Sequence, residues 1–313
     1  MMNTYKVIAY AKLLLPPCGL GNNLFVWAKG VVFAHVNNCQ FYMSSWTKLH
    51  LGAIKRKENT YRFYFGYFNK PTIGDFITYQ VKSLTYDKKN ITNCLEKVDL
   101  AKLEHDVVYI CNEMTHWKNH FEGIKEHRDI VRKALYSMLS SKIKNILNQR
   151  EKPFIGIHIR MGDFAKHNPA VPFATVGGTR TPLDYFTHLI TQIRTFYKQN
   201  VPITIFSDGS PQELEELLIL PNVKLSVGEL DIVDMLLLSQ SRIIIAAAGS
   251  TFSAWAGFLA DAPMIKHYDH LHEPYRDKHT NTLFYEGGAK GNFQEWDSLL
   301  LKNLHELSKE IVV

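Results

Sequence analysis

Short apolar runs alternate with longer amphipathic segments through the second half of the chain. The apolar runs predict strands at residues 155–159, 203–206, 223–225, 243–247 and 263–266. Between them, apolar residues at helical spacing predict helices at residues 183–199, 211–218, 232–240 and 251–259. Because parallel strands need crossover connections of about this length, we expect a doubly wound, parallel α/β domain from about Lys152 onward, of the type that binds nucleotides.

The first half of the chain is less regular. Its pattern predicts a strand at residues 5–15, a helix that ends near residue 36, an aromatic strand at 61–68 and one long helix at 126–147. A glycine-rich segment at 19–22 precedes the first helix and predicts either a ligand-binding turn or a structural one. We therefore expect two domains, at residues 1–150 and 151–313.

Composition and charge are those of a globular protein. Of the 313 residues, 46% are hydrophobic, and no apolar run approaches the roughly 18 residues of a membrane span. The net charge of +6 suits an anionic ligand or a membrane surface, and no nucleic-acid-binding motif accompanies it. The four cysteines lack CxxC spacing and predict no disulfide framework. We expect a cytoplasmic protein, and peripheral association with the inner face of the membrane stays open.

Charged residues follow the predicted strand at 155–159 without an intervening loop. His158, Arg160 and Asp163 stand at its carboxyl end, which in an open parallel sheet faces the ligand crevice. A guanidinium there suits a diphosphate because its forked donors match two oxygens, and the imidazole can donate another hydrogen bond or contact a base. A strand that ends in a solvated turn is the alternative.

Four segments together resemble the α-1,2-fucosyltransferase family of bacteria and animals. They are GLGNNLF at 19–25, HIRMGD at 158–163, FSDG at 206–209, and the stretch from DML at 234–236 to STFSAWA at 250–256. The second segment is similar to the HxRRGD motif of that family. The segments occur in the family's order and cover most of the chain.

The resemblance implies a GT-B-like fold of two Rossmann-like domains, with the acceptor bound by the first and the nucleotide sugar by the second. It implies an inverting transfer of L-fucose from GDP-fucose to a galactoside or other glycan hydroxyl, with no metal ion or other cofactor. Arg160 would stabilise the departing phosphate. Asp163 is the best carboxylate candidate for a base, although capping a turn or orienting Arg160 suits it better. The implied nucleotide-sugar-binding residues also include His158, Asp208, Ser250, Thr251, Phe252, Gly19, Gly21 and Asn22.

The chain departs from the family pattern at four positions. Met161 replaces the second arginine of the motif, Asn23 replaces glutamine, Gly209 replaces the second aspartate and Gly249 replaces asparagine. These departures leave open a transferase for another GDP-sugar. They also leave open an inactive module that binds a GDP-sugar or a glycan.

No segment predicts a metal site. A DxD motif and a carboxylate pair at ligand spacing are both absent from the sequence. His116 and His120 lack the glutamate of the HExxH zinc motif, so we expect them at an interface or on the surface. The histidines after the last predicted strand are expected to be loop residues without a role, namely His267, His270 and His272.

Overall fold

The chain folds into two compact units, residues 1–148 and 149–313. The structure is a computed structural model that describes residues 5–14, 18–47, 64–114, 119–168, 170–228 and 230–311. Each unit is built around a sheet whose strands are all parallel. Within these ranges, no helix combines the length and the apolar character needed to cross a membrane.

The first unit contains a four-stranded sheet in the order β2-β1-β4-β3. The strands are β1 (Val7–Ala11), β2 (Gln40–Met43), β3 (Asp87–Asn90) and β4 (Val107–Cys111). The helices are α1 (Leu20–Val36), α2 (Ile73–Thr85), α3 (Arg128–Met138) and α4 (Ser141–Gln149), the last of which reaches the boundary between the units. Every residue of β1 is buried, whereas the edge strand β3 is polar and exposed throughout.

Three predictions for this half are wrong in part. Strand β1 ends at Ala11, and residues 65–67 form a turn rather than a strand; residues 15 and 61–63 lie outside the described ranges. The long helix predicted at 126–147 is two helices, because the backbone of Leu139 is not helical (φ −59°, ψ 139°). Next to it, the Ser140 hydroxyl donates to the carbonyl of Gly66 at 2.6 Å and accepts the N–H of Ile143 at 3.3 Å.

The second unit contains a six-stranded sheet in the order β10-β9-β8-β5-β6-β7. Its strands are β5 (Ile155–Ile159), β6 (Ile203–Ser207), β7 (Val223–Leu225), β8 (Ile243–Ile245), β9 (Met264–Lys266) and β10 (Glu286–Gly288). Its helices are α5 (Leu183–Tyr197), α6 (Glu215–Leu218), α7 (Asp231–Ser239), α8 (Thr251–Leu259), α9 (Lys278–Leu283) and α10 (Ser298–Ile311). Counted from β5, this is the Rossmann strand order 3-2-1-4-5-6, and the order reverses between β5 and β8.

The prediction of a doubly wound parallel sheet in the second half is confirmed. The five predicted strands, β5 to β9, and the helices α5, α7 and α8 begin and end within two residues of the predicted positions. Residues 211–218 form a short 3₁₀ helix followed by α6. A capping box precedes this segment, because Ser210 N–H donates to Glu213 Oε2 at 3.0 Å and Glu213 N–H donates to Ser210 Oγ at 3.3 Å. The sequence pattern missed β10, α9 and α10.

Helix α8 packs closely against β9, which fixes the position of the turn that precedes the helix. The contact requires Gly257, because a Cβ at that position would lie 2.0 Å from Sδ of the fully buried Met264. Two real atoms cannot approach so closely, so any side chain there must displace either Met264 or the helix.

We expect Gly257→Ala to lower the free energy of unfolding by about 1–3 kcal/mol, because the added methyl group overpacks a buried contact. Gly74→Ala, in α2, is the matched control, since its Cβ would approach no atom closer than 3.6 Å. It should be neutral or stabilising by up to about 1 kcal/mol. Urea unfolding of both variants measures the difference. Equal stabilities would show that Met264 moves aside at no cost.

Candidate functional site

The turns after β5, β6 and β8 contain the residues that the sequence indicated in the second unit. These three strands are neighbours in a parallel sheet, so their carboxyl ends lie along one edge, beside the point where the strand order reverses. His158 is the fourth residue of β5, Asp208 follows β6 directly, and Ser250 precedes the first residue of α8. The structure therefore brings all three together at the position where open α/β sheets bind ligands.

Arg160 is bound by two carboxylates. Its Nη1 donates to Oδ2 of Asp208, and its Nη2 donates to Oδ1 of Asp163 at 2.5 Å. The second oxygen of Asp208 accepts the backbone N–H of Met161 at 2.7 Å. The Arg160 side chain is 30% exposed, and these bonds use two of the five N–H donors of a guanidinium. Asp163 and Asp208 thus orient Arg160, and these two bonds leave three N–H donors of the guanidinium unused.

Gly162 makes the pairing of Arg160 with Asp208 possible. A Cβ at this position would lie 2.2 Å from Oδ2 of Asp208 and 3.5 Å from Cζ of Arg160. A side chain would therefore push the carboxylate away from the guanidinium. The glycine of the HIRMGD segment is required by this close approach.

His158 is buried and uncharged. Burial, and to a lesser extent the positive charge of Arg160, lowers its pKa to about 3. Its Nδ1 lies 2.7 Å from Oγ of Ser253, and its ring stacks on Phe252 with centroids 4.6 Å apart. Because Ser253 Oγ also accepts the N–H of Ala247 at 3.2 Å, its own proton can point to Nδ1. We assign the imidazole proton to Nε2 on this network.

The start of α8 combines a helix cap with an unusual backbone conformation. Ser250 is the N-cap, and its Oγ accepts the N–H of Ser253 at 3.5 Å. Thr251 and Phe252 form the first turn of the helix. Gly249 has φ +64°, in the left-handed region that glycine and asparagine adopt most readily. Glycine in place of the family's asparagine therefore preserves this turn.

Two of the departures from the family pattern are in contact. Met161 is 4% exposed and belongs to the hydrophobic core of the second unit. A Cβ added to Gly209 would lie 2.7 Å from Cγ of Met161. The two positions that lack the family's charged residues therefore share one apolar contact, and the thioether occupies the space beside Gly209.

The glycine-rich turn of the first unit is the N-terminus of α1. Gly19 is the N-cap, and a Cβ there would meet no atom within 4 Å. Gly21 lies within the first turn of the helix. The amide of Asn23 donates to the carbonyls of Cys18 and Gly19, at 3.0 Å each. The buried amide oxygens of Asn22 and Asn23 have no hydrogen-bond partner in the part of the chain that the structure describes.

Three of the histidines discussed in the sequence analysis pack against aromatic rings. His120 is buried and stacks on Phe25 with centroids 4.8 Å apart, so it does not lie on the surface, and an interface position stays a prediction; His116 lies outside the described residues. His267 and His270 are loop residues, as predicted, and both pack against Phe173. No group of three His, Cys, Asp or Glu side chains within the described ranges could bind one metal ion.

Sequence reasoning missed Arg180 and Thr181, which lie between the turns described above. With Met161, Lys166 and Glu213, they line a cavity of about 270 Å³. They belong to a stretch in which no motif was found, and their contacts are largely with backbone atoms, so no sequence signal identifies them.

The fold and this edge of the sheet define a GT-B-like glycosyltransferase, with two Rossmann-like units and the ionic site at the reversal of strand order in the second. Residues 74–280 match the model of glycosyl transferase family 11, and the chain belongs to this family. No curated protein sequence matches it.

Solved fucosyltransferases share this fold. A NodZ α-1,6-fucosyltransferase co-crystallised with GDP is 15% identical, with 84% of this chain and 95% of that chain covered and a TM-score of 0.51. The fucosyltransferase NodZ from Bradyrhizobium is 14% identical, with 84% of this chain and 96% of that chain covered and a TM-score of 0.50. POFUT1 in complex with GDP is 12% identical, with 85% of this chain and 99% of that chain covered and a TM-score of 0.52. At these identities the similarity establishes the fold.

We expect Met161→Arg to lower the free energy of unfolding by about 2 kcal/mol or more, because it places a cation in an apolar gap beside Gly209. Met161→Leu, which preserves volume, is the control and should cost less than about 1.5 kcal/mol. Thermal and urea unfolding of both variants provide the test. An arginine variant as stable as wild type would mean that the new side chain turns outward to the site.

Proposed function

We propose that this glycosyltransferase is an inverting fucosyltransferase. It transfers L-fucose from GDP-β-L-fucose to a glycan hydroxyl, and the specific reaction is α-1,2 transfer to a galactoside. The observation that carries the proposal is the position of Arg160, held between Asp163 and Asp208 at the reversal of strand order. Membership of family 11 and the similar fold of fucosyltransferases solved with GDP support the choice of donor.

The diphosphate of the donor is proposed to bind Arg160 and the N-terminus of α8. The first-turn N–H groups of α8 and its positive dipole end attract phosphate oxygens, with Ser250, Thr251 and Phe252 around them. Asp163 and Asp208 place two carboxylates on the one guanidinium of Arg160. We therefore expect the diphosphate to displace Asp163, whose side chain is 64% exposed, while the less exposed Asp208 stays bound. His158 then donates from Nε2 to the nucleotide.

The chemical step is a single displacement at the anomeric carbon of fucose. The acceptor oxygen forms a bond to this carbon as the bond to the β-phosphate oxygen breaks, and GDP leaves with the electron pair. Negative charge grows on the β-phosphate, where the preoriented guanidinium of Arg160 stabilises it. The hydroxyl proton passes to a base, for which Asp163 is the candidate once it is released from Arg160. Inversion converts the β-linked donor into an α-linked product.

The remaining parts of the proposal concern the acceptor and the requirement for metal. We assign the acceptor to the first unit. Gly19, Gly21 and Asn22, at the start of α1, are proposed to contact the nucleotide sugar. Arg160 and the α8 dipole take the place of a cation at the diphosphate, so no metal ion is required. The net charge of +6 fits a cytoplasmic enzyme that meets its acceptor at the inner face of the membrane.

Calorimetric titration with GDP and UDP in the presence of EDTA tests the donor. We expect GDP to bind and UDP to bind much more weakly. Incubation with GDP-fucose and a galactoside, still in EDTA, should then give a product that proton NMR identifies as an α-linked fucoside.

A β-fucoside, a preference for UDP or a dependence on manganese would each contradict the mechanism. Transfer from a different GDP-sugar would replace fucose as the donor, and GDP binding without transfer or hydrolysis of any GDP-sugar would indicate an inactive binding module.

Arg160→Lys should reduce turnover about 100-fold or more, the cost of removing one preorganised transition-state donor. The ammonium retains the charge but cannot bond to two oxygens as the planar fork does. GDP affinity should fall less than turnover, and the melting temperature should barely change, since the side chain lies outside the core. Rate, affinity and melting temperature are measured on one preparation. Near-normal turnover, or a loss explained by unfolding, would contradict the role assigned to Arg160.

A further inference from the structure

Arg180 connects the turn that follows β5 to the rest of the site. Its Nε donates to the carbonyl of Met161 at 3.1 Å and to that of Phe164 at 3.0 Å. Its backbone N–H donates to the carbonyl of Ala165 at 2.8 Å. Arg180 therefore hydrogen-bonds to the first and the last residues of the turn that follows Arg160. The Arg180 side chain is 20% exposed.

The same guanidinium also reaches the turn that follows β6. Its Nη1 donates to Oε1 of Glu213 at 2.9 Å, while Oε2 of Glu213 accepts the N–H of Ser210 at 3.0 Å. The bond from Ser210 N–H and the Arg180 guanidinium both lower the pKa of Glu213, so this carboxylate is charged at neutral pH. Ser210 follows Asp208 by two residues. Arg180 therefore bridges the two turns that present Arg160 and Asp208 to each other.

The neighbouring residue, Thr181, reaches the third turn. Its Oγ1 accepts the N–H of Ala248 at 2.9 Å, and the residue is 2% exposed. Ala248 lies in the segment that joins β8 to α8, just before Gly249 and Ser250. Two consecutive residues thus contact all three turns of the proposed nucleotide-sugar site.

We infer that Arg180, assisted by Thr181, is a positioning residue for the nucleotide-sugar site, and this inference rests on the proposed function. It acts through Arg160: by joining the turns after β5 and β6, it fixes the distance between Arg160 and Asp208 before a donor binds. Displacements of about 1 Å in such a site can cost on the order of 100-fold in rate. The role needs a guanidinium, because one ammonium cannot bond to two carbonyls and a carboxylate in these directions.

Arg180→Lys and Thr181→Val test this inference, with Arg194→Lys as the matched control. Arg194 also donates from its guanidinium to backbone carbonyls, those of Val201 and Pro221, at the opposite end of the same sheet. We expect Arg180→Lys to lower kcat/KM for GDP-fucose about 10–100-fold, with a fall in melting temperature no larger than that of the control. Thr181→Ser, which retains the accepting oxygen, should recover most of the activity lost in Thr181→Val.

A double-mutant cycle separates positioning from general stability. If Arg180 acts through Arg160, Arg180→Lys should have little further effect in the Arg160→Lys background. Additive losses, normal kinetics in Arg180→Lys, or activity that follows melting temperature in all variants would overturn the inference.

A readout without donor keeps the test separate from the proposed function. Mass spectrometry follows the modification of Arg160 by phenylglyoxal, which should be faster in Arg180→Lys than in wild type and unchanged in Arg194→Lys. If wild type fails to bind GDP, the proposed function fails, and the modification rates alone decide whether Arg180 positions Arg160. Equal rates in wild type and Arg180→Lys would overturn the positioning role.

Discussion

Asp208 accepts hydrogen bonds from both the side chain of Arg160 and the backbone of Met161, and this double contact joins the ends of two neighbouring strands. It depends on Gly162, since any Cβ there would occupy the space of the carboxylate. The guanidinium consequently has a defined direction before any ligand arrives. Preorganised charge of this kind is what an enzyme needs when the leaving group becomes negative, because little reorientation is then required during the reaction.

Much of the second unit could be predicted because its central strands are buried on both faces. Strands β5, β6 and β8 are therefore apolar runs, and their carboxyl ends indicate where Arg160 and Asp208 must meet. Strand β10, which was missed, lacks such a pattern. Strand β10 is Glu-Gly-Gly and takes its conformation from pairing with β9. The end of α3 at Met138 could not be predicted either, because apolar residues at helical spacing continue through Leu139. The helix is interrupted beside a contact distant in sequence, between Ser140 and Gly66.

Apart from the residues that the family resemblance indicated, the candidate site could be predicted where charged side chains follow a strand, as Arg160 and Asp208 do. Arg180 donates to two backbone carbonyl groups, and Thr181 accepts a backbone N–H. Because residues of any type have these backbone groups, the sequence does not identify the partners. The departures from the family pattern could also be explained only with the structure. Gly249 is explained by its backbone conformation, whereas Met161 and Gly209 are explained by their mutual contact. From the sequence, Met161 and the other departures left open another GDP-sugar or an inactive module; the structure shows that Met161 is a core residue.

Strand β3 shows how the sheet of the first unit ends. Its sequence, Asp-Lys-Lys-Asn, is exposed along its length, and one side of its backbone pairs with β4 while the other has no neighbouring strand among the residues that the structure describes. Such an edge can recruit a strand from another molecule. In a pairing of two identical copies with these lysines opposite each other, Lys88 and Lys89 would place like charges on both faces of the joined edge, which is electrostatically unfavourable. The polar composition that concealed β3 from sequence analysis therefore also disfavours pairing of this edge with a second copy.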